Sequence, residues 1–173
     1  MSGDAAPDNP DVPFEIGEQA LREIFAHARN CFPNECCGWI AGTRGTALAD
    51  MVRVCANAQP SAPHAEAISD RTAETAYVIA GEDLIALSKT IDSEQPAKII
   101  YHSHPNGRAY FSATDRQVAT SPWGDGPSYP VQQLVVGITA DAIVEAALFG
   151  WSDQARGFVE LVRLDERIRQ LIL

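Results

Sequence analysis

The sequence predicts a single α/β domain in which helices flank a mixed β-sheet. The chain has 173 residues, of which 46% are hydrophobic and 21% are charged, and these values are typical of one globular domain. Segments with helix-like and strand-like hydrophobic spacing alternate through the middle of the chain, whereas strand-like segments cluster towards its end. This order favours a mixed sheet covered by helices over a regular doubly wound sheet.

The first predicted elements are a helix and two strands. A helical pattern begins at Phe14, and Pro33 prevents its easy continuation because proline lacks a backbone N–H. Apolar residues spaced at i, i+3, i+4 and i+7 form one face of this helix: Leu21, Ile24, Phe25 and Ala28. The apolar segment 37–41 predicts a short buried strand, and a second strand is predicted over 47–55, after a turn at Gly45.

The rest of the chain is predicted to supply the centre and the far edge of the sheet. Segment 57–75, with two prolines and a lone His64, predicts a long loop. An amphipathic helix follows, with one face formed by Leu84, Leu87, Ser88 and Ile91. Segment 99–102 has little polar content, which is typical of a strand covered on both faces. The later predicted elements are a helix over 112–120, strands over 131–138, 142–150 and 157–164, and a helical segment over 165–173.

Charge and proline define an N-terminal arm over residues 1–13, followed by a single domain over 14–173. Residues 1–18 contain five acidic residues and no Lys or Arg, and three prolines interrupt the same stretch. This composition predicts a flexible, solvated arm. It also argues against a secretory signal, which needs basic residues followed by an apolar run.

Composition also excludes several classes of partner. The net charge of -10 and the lack of a basic cluster argue against a nucleic-acid partner, because phosphate backbones are bound by groups of Lys and Arg. The most apolar late segment, 134–151, contains Asp141 and Glu145, so it does not predict a membrane span. We therefore predict a soluble, cytoplasmic protein.

The four cysteines are predicted to be buried free thiols. They stand at positions 31, 36, 37 and 55, and no two of them form a C-x-x-C pair, which argues against a zinc ribbon or a thioredoxin-like motif. A thiol nucleophile is also disfavoured, because no His is adjacent in sequence and an apolar strand would raise the thiol pKa values.

Two histidines at a strand end indicate a metal site. Residues two apart on a strand point to the same side, so His102 and His104 present two imidazoles together. The chain returns at Ser112, which opens a helix and brings Asp115 back as a third ligand. The same S-x-x-D pattern also predicts a capping box, and the two interpretations are compatible. Two His and one carboxylate match the ligand count of a catalytic zinc, which keeps one position open for water.

One acidic residue has a context that suits a general base. Glu35 directly precedes the predicted strand 37–41, so the strand end would hold its side chain beside the sheet. The alternative is an exposed acid in a turn.

These two segments together resemble the JAMM metallopeptidase family, the catalytically competent branch of the JAB/MPN domains. The resemblance rests on P-x-E-x-C-G, which includes Glu35, and on the later H-S-H-P-x6-S-x2-D. It extends from the first helix, near Glu18, to the strand around Val159. Within the family, segment 101–120 is most similar to small bacterial enzymes that trim sulfur-carrier proteins. The similarity includes Tyr110, two positions before the serine, and the downstream pair Ala119-Thr120. Phe111 departs from the family, which often has proline there.

The resemblance implies a fold, a cofactor and a reaction. The fold is the JAB/MPN-type three-layer arrangement, which is like that of cytidine deaminases. His102, His104 and Asp115 would hold one Zn²⁺ per chain, with Glu35 as the general base and later the general acid. Ser112 would stabilise the oxyanion. The reaction is hydrolysis of a peptide or isopeptide bond at the Gly-Gly C-terminus of a ubiquitin-like or sulfur-carrier protein, by a zinc-bound water that Glu35 activates.

Three alternative functions are less consistent with the sequence. A non-catalytic MPN scaffold is the main one, although such relatives characteristically lack part of the ligand set that is complete here. A zinc deaminase would need H-x-E followed by P-C-x-x-C, and the chain has neither. A cupin-like site would need a further His after His104, and none follows.

Overall fold

Six strands of the chain form one mixed sheet. The computed structural model describes residues 11–59 and 76–172. In chain order its elements are β1 (Glu15–Ile16), α1 (Glu18–Cys31), β2 (Cys37–Ala41), β3 (Leu48–Ala49), β4 (Met51–Cys55), α2 (Gly81–Thr90), β5 (Ala97–His104), α3 (Ala113–Ala119), β6 (Gln132–Ile138), β7 (Ile143–Ser152), β8 (Gly157–Arg163) and α4 (Asp165–Ile172). The large sheet has the order β4-β2-β5-β6-β7-β8, and β1 pairs with β3 in a small second sheet.

The sheet is mixed because β5 and β6 run parallel while the other neighbours in it run antiparallel. All eight residues of β5 are buried, as predicted for a central strand with little polar content. A parallel pair needs a crossover connection, and here α3 with its flanking loops supplies it. The predicted α/β class with a mixed, helix-flanked sheet is therefore confirmed.

Helices cover both faces of the sheet. On one face, α1 and α4 pack over a core that includes Ile99 and Tyr101 of β5. On the other face, Leu87 of α2 packs near Ile100, while Ala119 of α3 packs near Val135. Consecutive β5 residues thus alternate between the two cores, as side chains of a strand must. The histidines of β5 lie on the α2 and α3 face by the same alternation.

Two details differ from the sequence prediction. The segment predicted to be helical from Phe14 begins with β1, and α1 starts only at Glu18. The single strand predicted over 47–55 is two strands separated at Asp50, where the chain passes from pairing with β1 to pairing with β2. Both differences arise from long-range pairing, which the local hydrophobic spacing does not encode. The other predicted strands and helices are confirmed to within about two residues.

Several predictions fall outside the described residues or only partly within them. The arm predicted over 1–13 is described only from residue 11, where Val12 accepts a hydrogen bond from Gln132 (2.7 Å). The loop predicted over 57–75 is described only to residue 59, so His64 lies outside. All four cysteines are free, and three of them are buried. Within the described ranges, no helix is long and apolar enough to cross a membrane.

Gly38 of the P-x-E-x-C-G motif has a packing role in the sheet. A Cβ added there would lie 2.3 Å from the Arg53 carbonyl oxygen and 2.6 Å from the Tyr101 hydroxyl. That hydroxyl lies 2.8 Å from His27 Nδ1, so the buried tyrosine links β5 to α1. His27 itself is half-buried. Glycine at position 38 thus leaves space for the Tyr101 ring between adjacent strands.

We expect Gly38→Ala to lower the free energy of unfolding by about 2 kcal/mol or more, because the added methyl group overlaps backbone atoms that cannot easily move. Gly81→Ala is the matched control, since a Cβ at this helical position meets no atom within 4 Å. We expect the control to be neutral or slightly stabilising. Urea unfolding measures the free energy of unfolding of both variants. Equal values for the two variants would show that the sheet accommodates a methyl group at position 38.

Candidate metal centre

Three ligand atoms converge at the carboxyl end of β5. His102 Nε2 and His104 Nε2 are 3.1 Å apart. Asp115 Oδ2 lies 3.3 Å from each of these nitrogens. All three residues are buried, and within the described part of the chain they are the group that could hold a metal ion. The structure therefore brings together the three residues that the sequence predicted as ligands.

The spacing of these atoms fits a tetrahedral metal. Nitrogen and oxygen ligands at about 2.0–2.2 Å from a tetrahedral ion are separated from one another by about 3.3–3.5 Å. The three observed separations, 3.1, 3.3 and 3.3 Å, form a nearly equilateral triangle of about that size. A triangle of this size suits a metal ion with one further coordination position open.

The helix cap holds Asp115 in place. Ser112 is the N-cap of α3, and its Oγ accepts a hydrogen bond from the Asp115 N–H (3.1 Å). In return Asp115 Oδ2 accepts the Ser112 N–H (2.9 Å), which completes a capping box. The same oxygen faces both histidines, so the capping and metal-site interpretations hold at once. The cap sets the position of the ligand atom.

Burial and charge favour the protonation states that a metal requires. Burial lowers the pKa of His102, so its imidazole stays neutral and keeps a lone pair at neutral pH. Burial alone would raise the pKa of the Asp115 carboxyl. Its contacts with the His102 and His104 rings and with Ser112 instead hold this pKa well below its ordinary value. The carboxyl group is therefore ionised, as a ligand must be.

The two histidines are held in different ways. His104 Nδ1 lies 3.2 Å from the Arg108 carbonyl oxygen, which fixes the ring so that Nε2 faces the site. His102 Nδ1 is buried and has no hydrogen-bond partner among residues 11–59 and 76–172. Instead, the Tyr77 ring stacks on the His102 ring, with centroids 4.5 Å apart and planes 22° apart. The stacked Tyr77 ring thus limits the rotation of the His102 ring.

Glu35 is buried immediately before β2, the strand that pairs with the histidine-bearing β5. The Glu35 residue is 4% exposed. Its neighbour Cys36 forms two hydrogen bonds with Ser103 of β5: the Cys36 N–H donates to Ser103 Oγ, and the Ser103 N–H donates to the Cys36 carbonyl oxygen. Cys37 pairs with His102 in the sheet, and continued alternation along the extended chain predicts that Glu35 lies on the same face. Burial raises the pKa of Tyr77, and the nearby carboxylates of Asp115 and Glu35 raise it further. The alternative of an exposed turn acid is therefore excluded.

Asn57 connects the segments on which Glu35 and Tyr77 lie. Its Nδ2 donates to the carbonyl oxygens of Glu35 and Ala76, both at 3.0 Å. Its Oδ1 accepts the N–H of Val78 at 3.0 Å. Sequence reasoning missed both Asn57 and Tyr77, because each lies at the border of a segment without periodicity. A lone Asn and a lone Tyr carry no local signal of a role beside a site 25 to 45 residues later in the chain.

The cysteines beside Glu35 are not arranged for nucleophilic chemistry. Burial raises the pKa of the Cys36 thiol to about 12 and that of the Cys55 thiol to about 12. Burial also raises the pKa of Cys37. These thiols stay protonated near neutral pH, and a protonated thiol is a poor nucleophile. This supports the rejection of a thiol mechanism.

Comparison with known proteins places the chain among JAB domains. The family model described as prokaryotic homologs of the JAB domain matches residues 17–147. The CysO-cysteine peptidases of Mycobacterium tuberculosis and Mycobacterium bovis are 34% identical to it over 108 residues, which is 62% of this chain. The aligned region spans 66% of those relatives, just under two thirds of their length.

Two solved structures share the fold. A protein from Desulfitobacterium hafniense matches with a TM-score of 0.54 at 22% identity, over 84% of this chain and 87% of that one. A protein from Salinibacter ruber matches with a TM-score of 0.53 at 21% identity, over 85% of this chain and 88% of that one. At these identities the likeness concerns the fold alone.

We expect Tyr77→Ala to weaken metal binding by about tenfold, because loss of a group that orients a metal-bound histidine typically costs 10- to 100-fold in affinity. Tyr77→Phe is the matched control, since it keeps the stacked ring and removes only the hydroxyl. Competition with a coloured chelator measures the dissociation constant of each variant. Parent-like affinity in Tyr77→Ala would show that the stack does not orient His102.

Proposed function

The chain belongs to the JAB-domain family of prokaryotic proteins, and from this membership we propose that it is a zinc-dependent peptidase. Its proposed peptidase domain spans residues 14–173. The observation that carries the proposal is the buried triangle of His102, His104 and Asp115, whose three ligand atoms are 3.1 to 3.3 Å apart. A non-catalytic scaffold would have no need to maintain a buried carboxylate against two imidazoles.

These three residues would hold the zinc ion. Their donor set of two imidazole nitrogens and one carboxylate oxygen suits zinc and leaves one coordination position open. Bound zinc would polarise the scissile carbonyl and lower the pKa of a water molecule to about 7. The protein keeps the imidazoles neutral and the Asp115 carboxyl group ionised, in a buried site formed by β5 and α3.

Glu35 would move the proton. Its carboxylate accepts a proton from the attacking water while the water oxygen forms a bond to the scissile carbonyl carbon. When the C–N bond breaks, Glu35 returns the same proton to the leaving amine nitrogen, so the protons and electrons of the hydrolysis balance. Support comes from its burial immediately before β2, the strand that pairs with β5. A base on a strand end is held in one position throughout both transfers.

Ser112 would stabilise the developing oxyanion. Its Oγ already accepts the Asp115 N–H, so its position is fixed by the cap of α3. That bond uses a lone pair of the oxygen and leaves the hydroxyl hydrogen for donation to a substrate. Donation from a preoriented hydroxyl to a developing negative charge is worth more in a partly buried site than in water. Ser112 is itself half-buried.

The proposed substrate is a sulfur-carrier protein with a Gly-Gly C-terminus. The support is the similarity to proteins named CysO-cysteine peptidases, a name that describes removal of cysteine from a carrier. The proposed bond joins the terminal glycine of the carrier to the leaving residue, and cysteine is the proposed leaving residue. A ubiquitin-like protein carrying an isopeptide bond is the second substrate class that the family chemistry allows.

We expect zinc-loaded protein to shorten a sulfur-carrier protein that ends in Gly-Gly-Cys by one residue. A panel of Gly-Gly-X carriers and isopeptide conjugates, analysed by mass spectrometry, identifies which bond is cut. We expect Glu35→Gln to lower the rate at least about 100-fold while retaining bound zinc, since it removes proton transfer but no ligand. If the parent protein cuts no member, or if Glu35→Gln cuts as fast as the parent, the proposed mechanism is wrong.

Metal removal gives an independent test of the same proposal. We expect dialysis against a chelator to abolish cleavage, and stoichiometric zinc, at one ion per chain, to restore it. Asp115→Asn should bind zinc more weakly, because the site loses its one anionic ligand. Full activity of the chelated protein, with metal content verified by elemental analysis, would contradict a role for zinc.

A further inference from the structure

A second cavity adjoins the metal centre on the side of the loop that follows β5. Its volume is about 530 Å³, and it is lined by Asn106, Arg108, Ala109, Tyr110, Glu145 and Arg163. The Tyr110 ring, which forms one wall, also contacts the His104 ring, with centroids 4.8 Å apart. One wall is thus shared between the cavity and the metal centre. The cavity therefore opens beside the His104 ring.

The two arginines of the cavity differ in their electrostatic partners. Arg163 is paired with three carboxylates: Glu145 at 3.1 Å, Glu160 at 2.9 Å and Asp165 at 3.3 Å. Arg108 is exposed, and its guanidinium has no hydrogen-bond or ion-pair partner in the described ranges 11–59 and 76–172. Arg163 is therefore neutralised by its neighbours, whereas Arg108 is the cation of this cavity that can take an anionic ligand.

The loop that carries Arg108 is held in one conformation. Its carbonyl oxygen is the partner of His104 Nδ1, and its N–H donates to Asn106 Oδ1 (3.0 Å). Gly107 donates its N–H to the Ile138 carbonyl oxygen at 3.0 Å, with a φ of 78° that favours glycine. A ligand bound by this loop would lose little affinity to ordering the backbone.

We propose that Arg108, assisted by the Tyr110 hydroxyl, binds the α-carboxylate of the residue that is released. This inference rests on the proposed peptidase function and names the leaving group that the site selects. A guanidinium binds a carboxylate through two parallel hydrogen bonds. Tyr110 lies 3.4 Å from the Asn106 amide nitrogen, which donates to it, so its own hydroxyl hydrogen is available for the carboxylate.

The position of the cavity favours a C-terminal residue over other leaving groups. In a C-terminal residue the carboxylate is separated from the scissile nitrogen by the α-carbon alone, so it must bind immediately beside the metal centre. A lysine side chain released from an isopeptide bond has no carboxylate at that distance, and an internal peptide bond has none either. Arg108 therefore selects removal of a single terminal residue.

The test compares a carrier ending in Gly-Gly-Cys as the free acid with the same carrier ending in a cysteine amide. With zinc-loaded full-length protein, we expect kcat/KM to be about tenfold or more higher for the acid, because the amide cannot form a charged pair with Arg108. Arg108→Met should lower the value for the acid to that for the amide. Arg108→Lys, which keeps the charge without the planar fork, should retain part of the preference.

Arg29→Met is the matched control, since it removes an exposed positive charge from the last turn of α1, which does not line the cavity. We expect it to retain the preference for the acid. Equal kcat/KM values for acid and amide in the parent, or an equal loss on both substrates in Arg108→Met, would overturn the carboxylate site while leaving the peptidase function intact.

Calorimetric binding to the Glu35→Gln variant separates the carboxylate site from the reaction. If the parent cuts neither substrate, the proposed processing of a carrier that ends in Gly-Gly-Cys is wrong, and the carboxylate site is then tested by the binding measurement alone. About tenfold tighter binding of the acid than of the amide, with this difference lost in the Glu35→Gln/Arg108→Met double variant, would support the carboxylate site. Equal binding of acid and amide, or no binding of either, would overturn it.

Discussion

The fixed position of β5 at the centre of the sheet is the constraint on which the proposed chemistry depends. Every residue of this strand is buried, and pairing with β2 and β6 on its two sides prevents the strand from shifting. Because side chains alternate along a strand, His102 and His104 at its carboxyl end lie on one face. Pairing with β2 also positions Glu35, because Cys36 and Ser103 are joined by two hydrogen bonds. One strand thus carries two of the proposed ligands and pairs with the segment that holds the proposed general base.

A buried carboxylate facing two imidazoles needs compensation, and the cap of α3 provides part of it. The Ser112 N–H donates to the Asp115 oxygen that faces the histidines, so one lone pair is satisfied within the protein. The remaining lone pairs of the three residues converge on one point. The side chains carry one net negative charge when the histidines are neutral, which favours a divalent cation in that position. The cap and the metal centre are therefore parts of one arrangement.

The sequence was sufficient to predict the fold class and the convergence of His102, His104 and Asp115, because both depend on local patterns. The alternation of His102 and His104 and the S-x-x-D spacing at Ser112 are local in the chain. The supporting contacts are not local. Tyr77 and Asn57 approach the site through pairing between distant segments, and the division of strand 47–55 at Asp50 depends on β1, which lies more than 30 residues earlier. No spacing rule encodes such contacts.

The central claim is that one zinc ion lies within the triangle formed by His102, His104 and Asp115. Anomalous diffraction from crystals of the zinc-loaded protein, recorded on both sides of the zinc absorption edge, tests it most directly. We predict one peak per chain at about 2.0–2.2 Å from the two Nε2 atoms and from Asp115 Oδ2. A peak at the cysteines, or the absence of any peak at the triangle in zinc-loaded crystals, would contradict the account.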